Sequence, residues 1–453
     1  MTTTREPSQS VVALPPKAGE KPAPVSSLGG VEIGSPVIRQ ALIWSLFDGL
    51  CSSVMFGLAE TFAVAAALKI KAPSMAIALL GSLPGFAASL LQIVLPLITN
   101  PAKSRKHYVL GSILFQAFFL SCAGMTGFMP QGWGTAAFIV CWVLYSFSGQ
   151  SMSTLWMAWM GDLIPESVRG RHFAWRNRFF AMLQLSISLI TGLVARKYTA
   201  DTAPWLFFMI IFTIAGISRV GSYLCMRQQY EPPEKLQRAT RVSFNLSRRF
   251  LAFAFTTAIF QGAAAFSGPF FNVYFLRDLK LDYLNFTVIG VFGTIGTLVG
   301  LPLWGRLNDS IGTRKVFQIT AFLAAFIPIP YLFCQSVWAL WLCNFYSGIC
   351  WSGFNISNFS YLLHLSGREK TERAISISVA ITGISNFCFS LMGGYAASRV
   401  PVLFAWQLQT LFLLSSLMRF GAIGIFSVLV KFGARYKGGS PTQRLERIVI
   451  GDR

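Results

Sequence analysis

Asp48 and Glu60 stand twelve residues apart inside one apolar stretch, 41–66, and of the 17 acidic residues they alone lie well within such a stretch. A charge surrounded by hydrocarbon costs several kcal/mol unless it pairs or takes up a proton, so either carboxyl could carry a coupling proton. The competing reading for each is a neutral acid hydrogen-bonded to another helix. On a straight helix the two would stand about 120° apart around the axis and about 18 Å apart along it, which rules out a shared proton. Either one faces a cavity and the other a helix neighbour, or they act at different depths. Arg219 and Arg419 are the basic residues deepest in apolar runs, each followed two residues later by Gly. Snorkelling to the interface is the reading preferred for them over contact with a solute.

Neutral polar groups form a second pattern. Asn344, Trp351, Asn355 and Asn358 recur at i, i+7, i+11 and i+14 of one run, an amide stripe with an aromatic platform. Such a stripe is unfavourable beside lipid and natural along a wet path. Tyr145, Gly149, Met152, Trp156 and Trp159 share helical spacing in another run, and Gln261 and Asn272 stand in a third. Aromatic residues at this spacing pack more often than they bind ligand, so Tyr145 and Trp156 are candidates and no more.

Several chemistries are excluded or unsupported. His107, His172 and His364 fall at run ends with no paired acid or nucleophile, so no enzyme is expected. The eight cysteines include no CxxC pair, which argues against a disulfide framework, a metal site or a metal cofactor. No G-x-x-x-x-G-K-[ST] loop is present to draw on a nucleotide. The net charge of +21 is spread over short hydrophilic breaks, the pattern of a membrane protein rather than of a nucleic-acid partner.

The elements that must carry these residues are apolar runs. The chain is 54% hydrophobic and 12% charged, with 41 Phe, against about 25% charged in an average soluble domain. Runs near 41–66, 75–98, 107–128, 134–160, 174–195 and 204–225 form a first set of six. A second set lies near 249–274, 284–304, 315–335, 337–364, 374–397 and 403–430. Each is long enough to cross a hydrocarbon core of roughly 30 Å, so an all-α integral membrane fold of twelve spans is expected. Alternate breaks collect 29 and 7 of the Lys and Arg residues, which places both termini in the cytoplasm. The expected organisation is a disordered cytoplasmic tail at 1–38, a six-helix bundle at 39–225, a charged loop at 226–248, a second bundle at 249–430 and a tail at 431–453. The halves repeat: at an offset of 209, Arg105 and Lys106 align with Arg314 and Lys315, Gly81 with Gly290, and Asn100 with Asp309. Arg219 matches Arg419 at an offset of 200.

Between the eighth and ninth runs lies Gly305-Arg306-Leu307-Asn308-Asp309-Ser310-Ile311-Gly312-Thr313-Arg314-Lys315. An acid at a helix end, a tight Gly turn and a basic pair can make charge-assisted contacts with a neighbouring helix. The segment resembles the G-x-L-x-D-x-x-G-R-K loop of the major facilitator superfamily. That resemblance implies that Asp309 and Arg314 belong to a cytoplasmic gate, with Gly305, Gly312 and Lys315 in the same motif. The first-half counterpart departs from it, with Pro96 and Lys103 at the glycine positions and Asn100 at the acid. Asp162, Glu166, Arg169, Gly170 and Arg171 resemble the superfamily's acidic-then-RG loop, with a fainter copy at Arg373. The run at 174–195 lacks the G-x(n)-G-P-x-x-G-G sequence frequent in drug-proton antiporters of the family, which leans away from multidrug export.

The resemblance implies two six-helix bundles related by an internal repeat, with spans one, four, seven and ten lining a central path. It implies a monomeric secondary transporter in the plasma membrane, a bacterial inner membrane, moving a small organic solute by alternating access. Coupling would run through Asp48, Glu60 or both. An amide- and aromatic-lined path suits a neutral, zwitterionic or aromatic solute. Gly290, Gly293, Gly296 and Gly300 would permit close approach between helices that rock against each other. The alternative is a non-transporting use of the same scaffold as a receptor, assembly factor or lipid-handling subunit.

Overall fold

The computed structural model describes residues 27–28, 31–32, 36–98, 105–164, 166–198, 204–231, 247–366 and 371–435. Among these, twelve long helices follow one another. The first, α1, runs through Pro36–Met55, a π turn Phe56–Glu60 and Thr61–Lys69. Then come α2 (Ser74–Ile98), α3 (Arg105–Met125), α4 (Gln131–Leu163), α5 (Glu166–Tyr198) and α6 (Pro204–Gln228). The second set is α7 (Arg248–Val273, continued by a π turn Tyr274–Asp278), α8 (Tyr283–Ile311), α9 (Thr313–Phe326), α10 (Val337–Ser366), α11 (Thr371–Ala396) and α12 (Gln407–Arg435). Ahead of α1, Ser27–Leu28 and Val31–Glu32 pair antiparallel.

Ten of the helices are long and apolar enough to cross a membrane. The other two are α2, of which Ser74–Leu90 is a shorter apolar helix, and α10, whose Asn and Ser residues lower its hydropathy. The helix that reads least like a lipid-facing span is therefore the one with the amide stripe. A saturated backbone leaves only side chains to decide what each helix faces. In the amino half, Phe62, Phe138, Trp142, Phe208 and Phe212 form one core. Leu42, Val109, Ile113, Trp159 and Met160 form another, nearer the start of α1. In the carboxyl half a larger core gathers Phe250, Phe253, Phe317, Phe354 and Phe412.

Among the described residues, two helix pairs make the broadest contact between the halves. In the first, the Phe86 and Phe387 rings of α2 and α11 stack at 4.5 Å, and Ser390 donates to the Ala78 carbonyl at 3.1 Å. In the second, Gly192 of α5 lies against Tyr283, Leu284 and Thr287 of α8. The glycines of α8 correct the sequence expectation. A Cβ at Gly296 would meet the Phe345 carbonyl, one at Gly300 would meet Ser352, and Gly348 of α10 abuts the Gly293 carbonyl. They let α8 press onto α10 within one half, rather than between helices of opposite halves; a Cβ at Gly290 would touch nothing within 4 Å.

Candidate functional site

Two cavities of about 650 and 670 Å³ adjoin around α1 and α2, sharing Val64, Gly81 and Gly85 in their walls. The first is walled by α1 to α6 and carries charge: Asp48, Glu60, Arg176 and Arg219. The second lies between the halves, walled by α1, α2, α7, α10 and α11, and has no Asp, Glu, Lys or Arg in its lining.

Both acids of α1 line the charged cavity, although a regular helix would turn them about 120° apart. The π turn Phe56–Glu60 supplies the difference. Its wider i→i+5 closure inserts one residue, about 100° of rotation, and brings Glu60 round towards the face of Asp48. The surroundings of the two carboxyls differ. Asp48 is 3% exposed, accepts a short hydrogen bond from the Ser222 hydroxyl and has Arg176 Nη2 at 3.8 Å. Ser222 also accepts from Arg219 Nη1 at 3.1 Å, and Arg219 donates to Ser52 Oγ at 2.9 Å. Asp48 is thus neutralised by a closed network of α1, α5 and α6. Glu60 is bare towards the cavity and is held by one contact, the Tyr145 hydroxyl donating to Oε1 at 3.0 Å. Among the described residues no cation lies within 4 Å of it.

Arg176 also lies over the Trp156 ring at 4.5 Å and the Phe180 ring at 4.8 Å. Trp156 therefore acts as a wall for a cation, and its indole N–H has no partner. Snorkelling does not describe the two deep arginines. Arg219 is 3% exposed and Arg419 2%, and both turn into the protein. Arg419 donates to the Ala324 carbonyl at 2.9 Å and lies 5.9 Å from the Trp351 ring. The corresponding positions 219 and 419 thus share burial but not partners, since only Arg219 joins a network with an acid.

In the neutral cavity Gln261, Asn272 and Asn358 line the wall, together with Asn386, Ser378 and Thr382 of α11. The side-chain carbonyls of Asn358 and Asn386 have no hydrogen-bond partner. The amide stripe of α10 divides. Asn358 faces this cavity, Asn344 donates to the Tyr331 hydroxyl at 2.9 Å, Trp351 packs on Phe354 at 5.5 Å, and Asn355 is exposed outside both cavities. Helical spacing brought the four to one stripe, but neighbouring helices occupy part of it.

A profile of the Major Facilitator Superfamily matches residues 253–447. The multidrug resistance protein MdtG of Escherichia fergusonii is 25% identical over 213 residues, which cover 45% of this chain and 51% of the relative. The chain thus spans about half the length of the curated relatives it matches. The fold extends the likeness to both halves. A bacterial homologue of the iron transporter ferroportin in its inward-facing state superposes with a TM-score of 0.68 at 15% identity, covering 86% of this chain and 98% of that one. The nucleoside transporter NupG superposes with a TM-score of 0.67 at 14% identity, covering 86% and 99%. The carboxyl half of the chain thus matches the major facilitator superfamily in sequence, and both halves share the fold of these transporters.

The superfamily's loop motif occupies the turn from α8 to α9. Gly305 lies in the last turns of α8, and Gly312 takes φ +88°, a left-handed value that favours glycine. Asp309, Arg314 and Lys315 are exposed, and among the described residues none of them makes an ion pair. In the amino half, where the motif is degenerate, Arg105 pairs with Asp162 at 2.8 Å and lies 4.0 Å from Glu231. Asn100 and Lys103 lie outside the described residues, as do the side chains of Pro96, Arg169, Arg171 and Arg373. Arg176, Ser222 and Asn386 were not singled out in the sequence. Arg176 stands among other basic residues at the edge of its run, and Ser222 is an ordinary residue there; Asn386, an amide in an apolar run, was the one with a visible signal.

Proposed function

We propose that this chain is a member of the major facilitator superfamily and a secondary transporter that carries a small organic solute by alternating access, with Glu60 as the coupling site. The observation that carries the reading is Glu60 itself: an acid deep in the helices, bare to a cavity, held by one phenol and without a cation among the described residues. Asp48 is a poorer candidate because Ser222, Arg176 and the Arg219 network already answer its charge. We take it as the fixed member that orients α1, α5 and α6. A bare carboxylate sealed away from water is costly. The carrier would therefore change state with Glu60 protonated or with its charge met by the solute.

Recognition is assigned to the neutral cavity, through Gln261, Asn272, Asn358 and Asn386. Amide groups and the Phe86 and Phe359 rings suit a neutral or zwitterionic solute with a flat apolar part. The relatives carry the name of multidrug resistance protein. The lack of a G-P-x-x-G-G run in α5 and the amide lining favour a narrower solute range. The chain would act as a monomer in a bacterial plasma membrane with both termini cytoplasmic, and no bond-making step is assigned to it.

The test is uptake into proteoliposomes under an imposed proton gradient, screened with radiolabelled nucleosides, sugars and aromatic amino acids. The parent and Asp48→Asn should accumulate the same solute, Asp48→Asn more slowly, and Glu60→Gln should lose its response to the gradient. Full gradient-driven uptake by Glu60→Gln would remove the coupling assignment.

A further inference from the structure

At the end of the molecule where α1 finishes, a third cavity of about 560 Å³ lies between the halves. Its walls are the end of α1, the turn into α2 and the end of α5 on one side, and the turn from α7 to α8 on the other. The breaks at this end hold only seven Lys and Arg residues, as the charge bias of a membrane protein requires. Five of the seven, Lys69, Lys71, Arg196, Arg277 and Lys280, line this one cavity. Two acids answer part of that charge: Asp282 pairs with Arg196 at 3.1 Å and Asp278 with Arg277 at 2.7 Å. Lys69, Lys71 and Lys280 are exposed and, among the described residues, have no acid within 4 Å.

The backbone gives an independent sign. Lys71 at φ +56° and Lys280 at φ +52° are the two non-glycine residues with positive φ among the described residues. An L residue is strained there and glycine is not, and strain of this kind clusters at ligand sites. The two lysines stand 209 residues apart, the offset that relates the halves elsewhere. Each half thus presents a strained lysine from its own first interhelical turn.

We propose that this cavity binds an oxyanion, a phosphate or carboxylate group, between Lys69, Lys71 and Lys280. Lys69 and Lys71 belong to the amino half and Lys280 to the carboxyl half, so one bound anion touches both. It offsets their mutual repulsion while this end is closed, and is released when the halves part here. The anion is a ligand separate from the carried solute, whose cavity has a neutral lining.

The full chain in phosphatidylcholine nanodiscs is titrated with inorganic phosphate at constant ionic strength, by calorimetry. A parallel set of nanodiscs contains phosphatidylglycerol, and melting temperature is read in both. Lys71→Gly/Lys280→Gly relieves the backbone strain, so it should melt a few degrees higher without ligand while losing at least tenfold in phosphate affinity. Lys71→Arg/Lys280→Arg, which keeps the charge, should retain affinity within about threefold. Phosphate binding in phosphatidylcholine discs identifies a free anion as the ligand. Stabilisation of the parent over the double-glycine variant only in phosphatidylglycerol discs identifies a lipid headgroup. A double-glycine variant that matches the parent in affinity and in its response to lipid would overturn the site.

Discussion

Ser222 donates to Asp48 and accepts from Arg219, and Arg176 lies 3.8 Å from the same carboxylate, so removing Asp48 leaves two buried guanidinium groups unanswered. Breaking a buried pair from one side costs about 3–5 kcal/mol, whereas replacing both members by apolar residues is close to neutral. Asp48→Leu should therefore lower stability to denaturant by about that amount, and Asp48→Leu/Arg219→Met/Arg176→Met should recover most of it. Tyr145 offers a milder probe. Its hydrogen bond to Glu60 is one to a charged group, worth about 1.5–3 kcal/mol, so Tyr145→Phe should cut transport about tenfold while the protein stays folded, as checked by uptake and melting temperature. Both acids were legible in the sequence because ionisable groups stand out in an apolar run. Their partners were not. Arg176 and Ser222 come from α5 and α6, and the π turn that swings Glu60 towards Asp48 leaves no mark in residue types.

Between helices, small residues decide how closely backbones approach, and the structure ranks them. A Cβ at Gly348 would meet the Gly293 carbonyl and, at 2.8 Å, the Thr297 nitrogen, so neither side can yield without moving backbone. Gly348→Val should destabilise by about 1–3 kcal/mol through overpacking of α8 on α10. Gly290→Ala has open space and should fall within about 1 kcal/mol of the parent, with a gain of helix propensity in its favour. Thermal unfolding of the purified variants separates the two. The helices themselves were readable from run length and charge breaks, because every span must be helical and apolar in lipid. The partner of α8 was not, since a stripe of glycines states that something approaches and not what. The stripe of α10 was readable in the same limited sense: Asn358 reaches the cavity, while Tyr331 claims Asn344.

At the scale of the molecule, the two ends differ. Where α1 finishes, Phe62 packs on Tyr283 and Phe286 at 6.1 and 6.5 Å and Arg196 pairs with Asp282 across the halves. Where α8 finishes, Asp309 and Arg314 are exposed and without ion pairs among the described residues. An alternating-access carrier must break the first set to open that end. A Cβ at Gly192 would lie 3.3 Å from the Leu284 Cα. Gly192→Cys/Leu284→Cys, with the eight native cysteines replaced by alanine, should therefore crosslink under oxidation. Crosslinking should arrest uptake, and reductant should restore it. Free transport by the fully crosslinked protein would mean that this end does not open. The repeat was visible in the sequence at the motif loops, but the closed end was not, because its contacts join residues far apart in the chain with no shared motif.

The central claim is that Glu60 couples solute movement to a proton, and the most direct measurement compares two modes of transport in the same proteoliposomes. Glu60→Gln should exchange labelled for unlabelled solute at near the parent rate, since the neutral cavity is intact, yet fail to accumulate solute against its concentration when a proton gradient is imposed. Accumulation equal to the parent's would contradict the account.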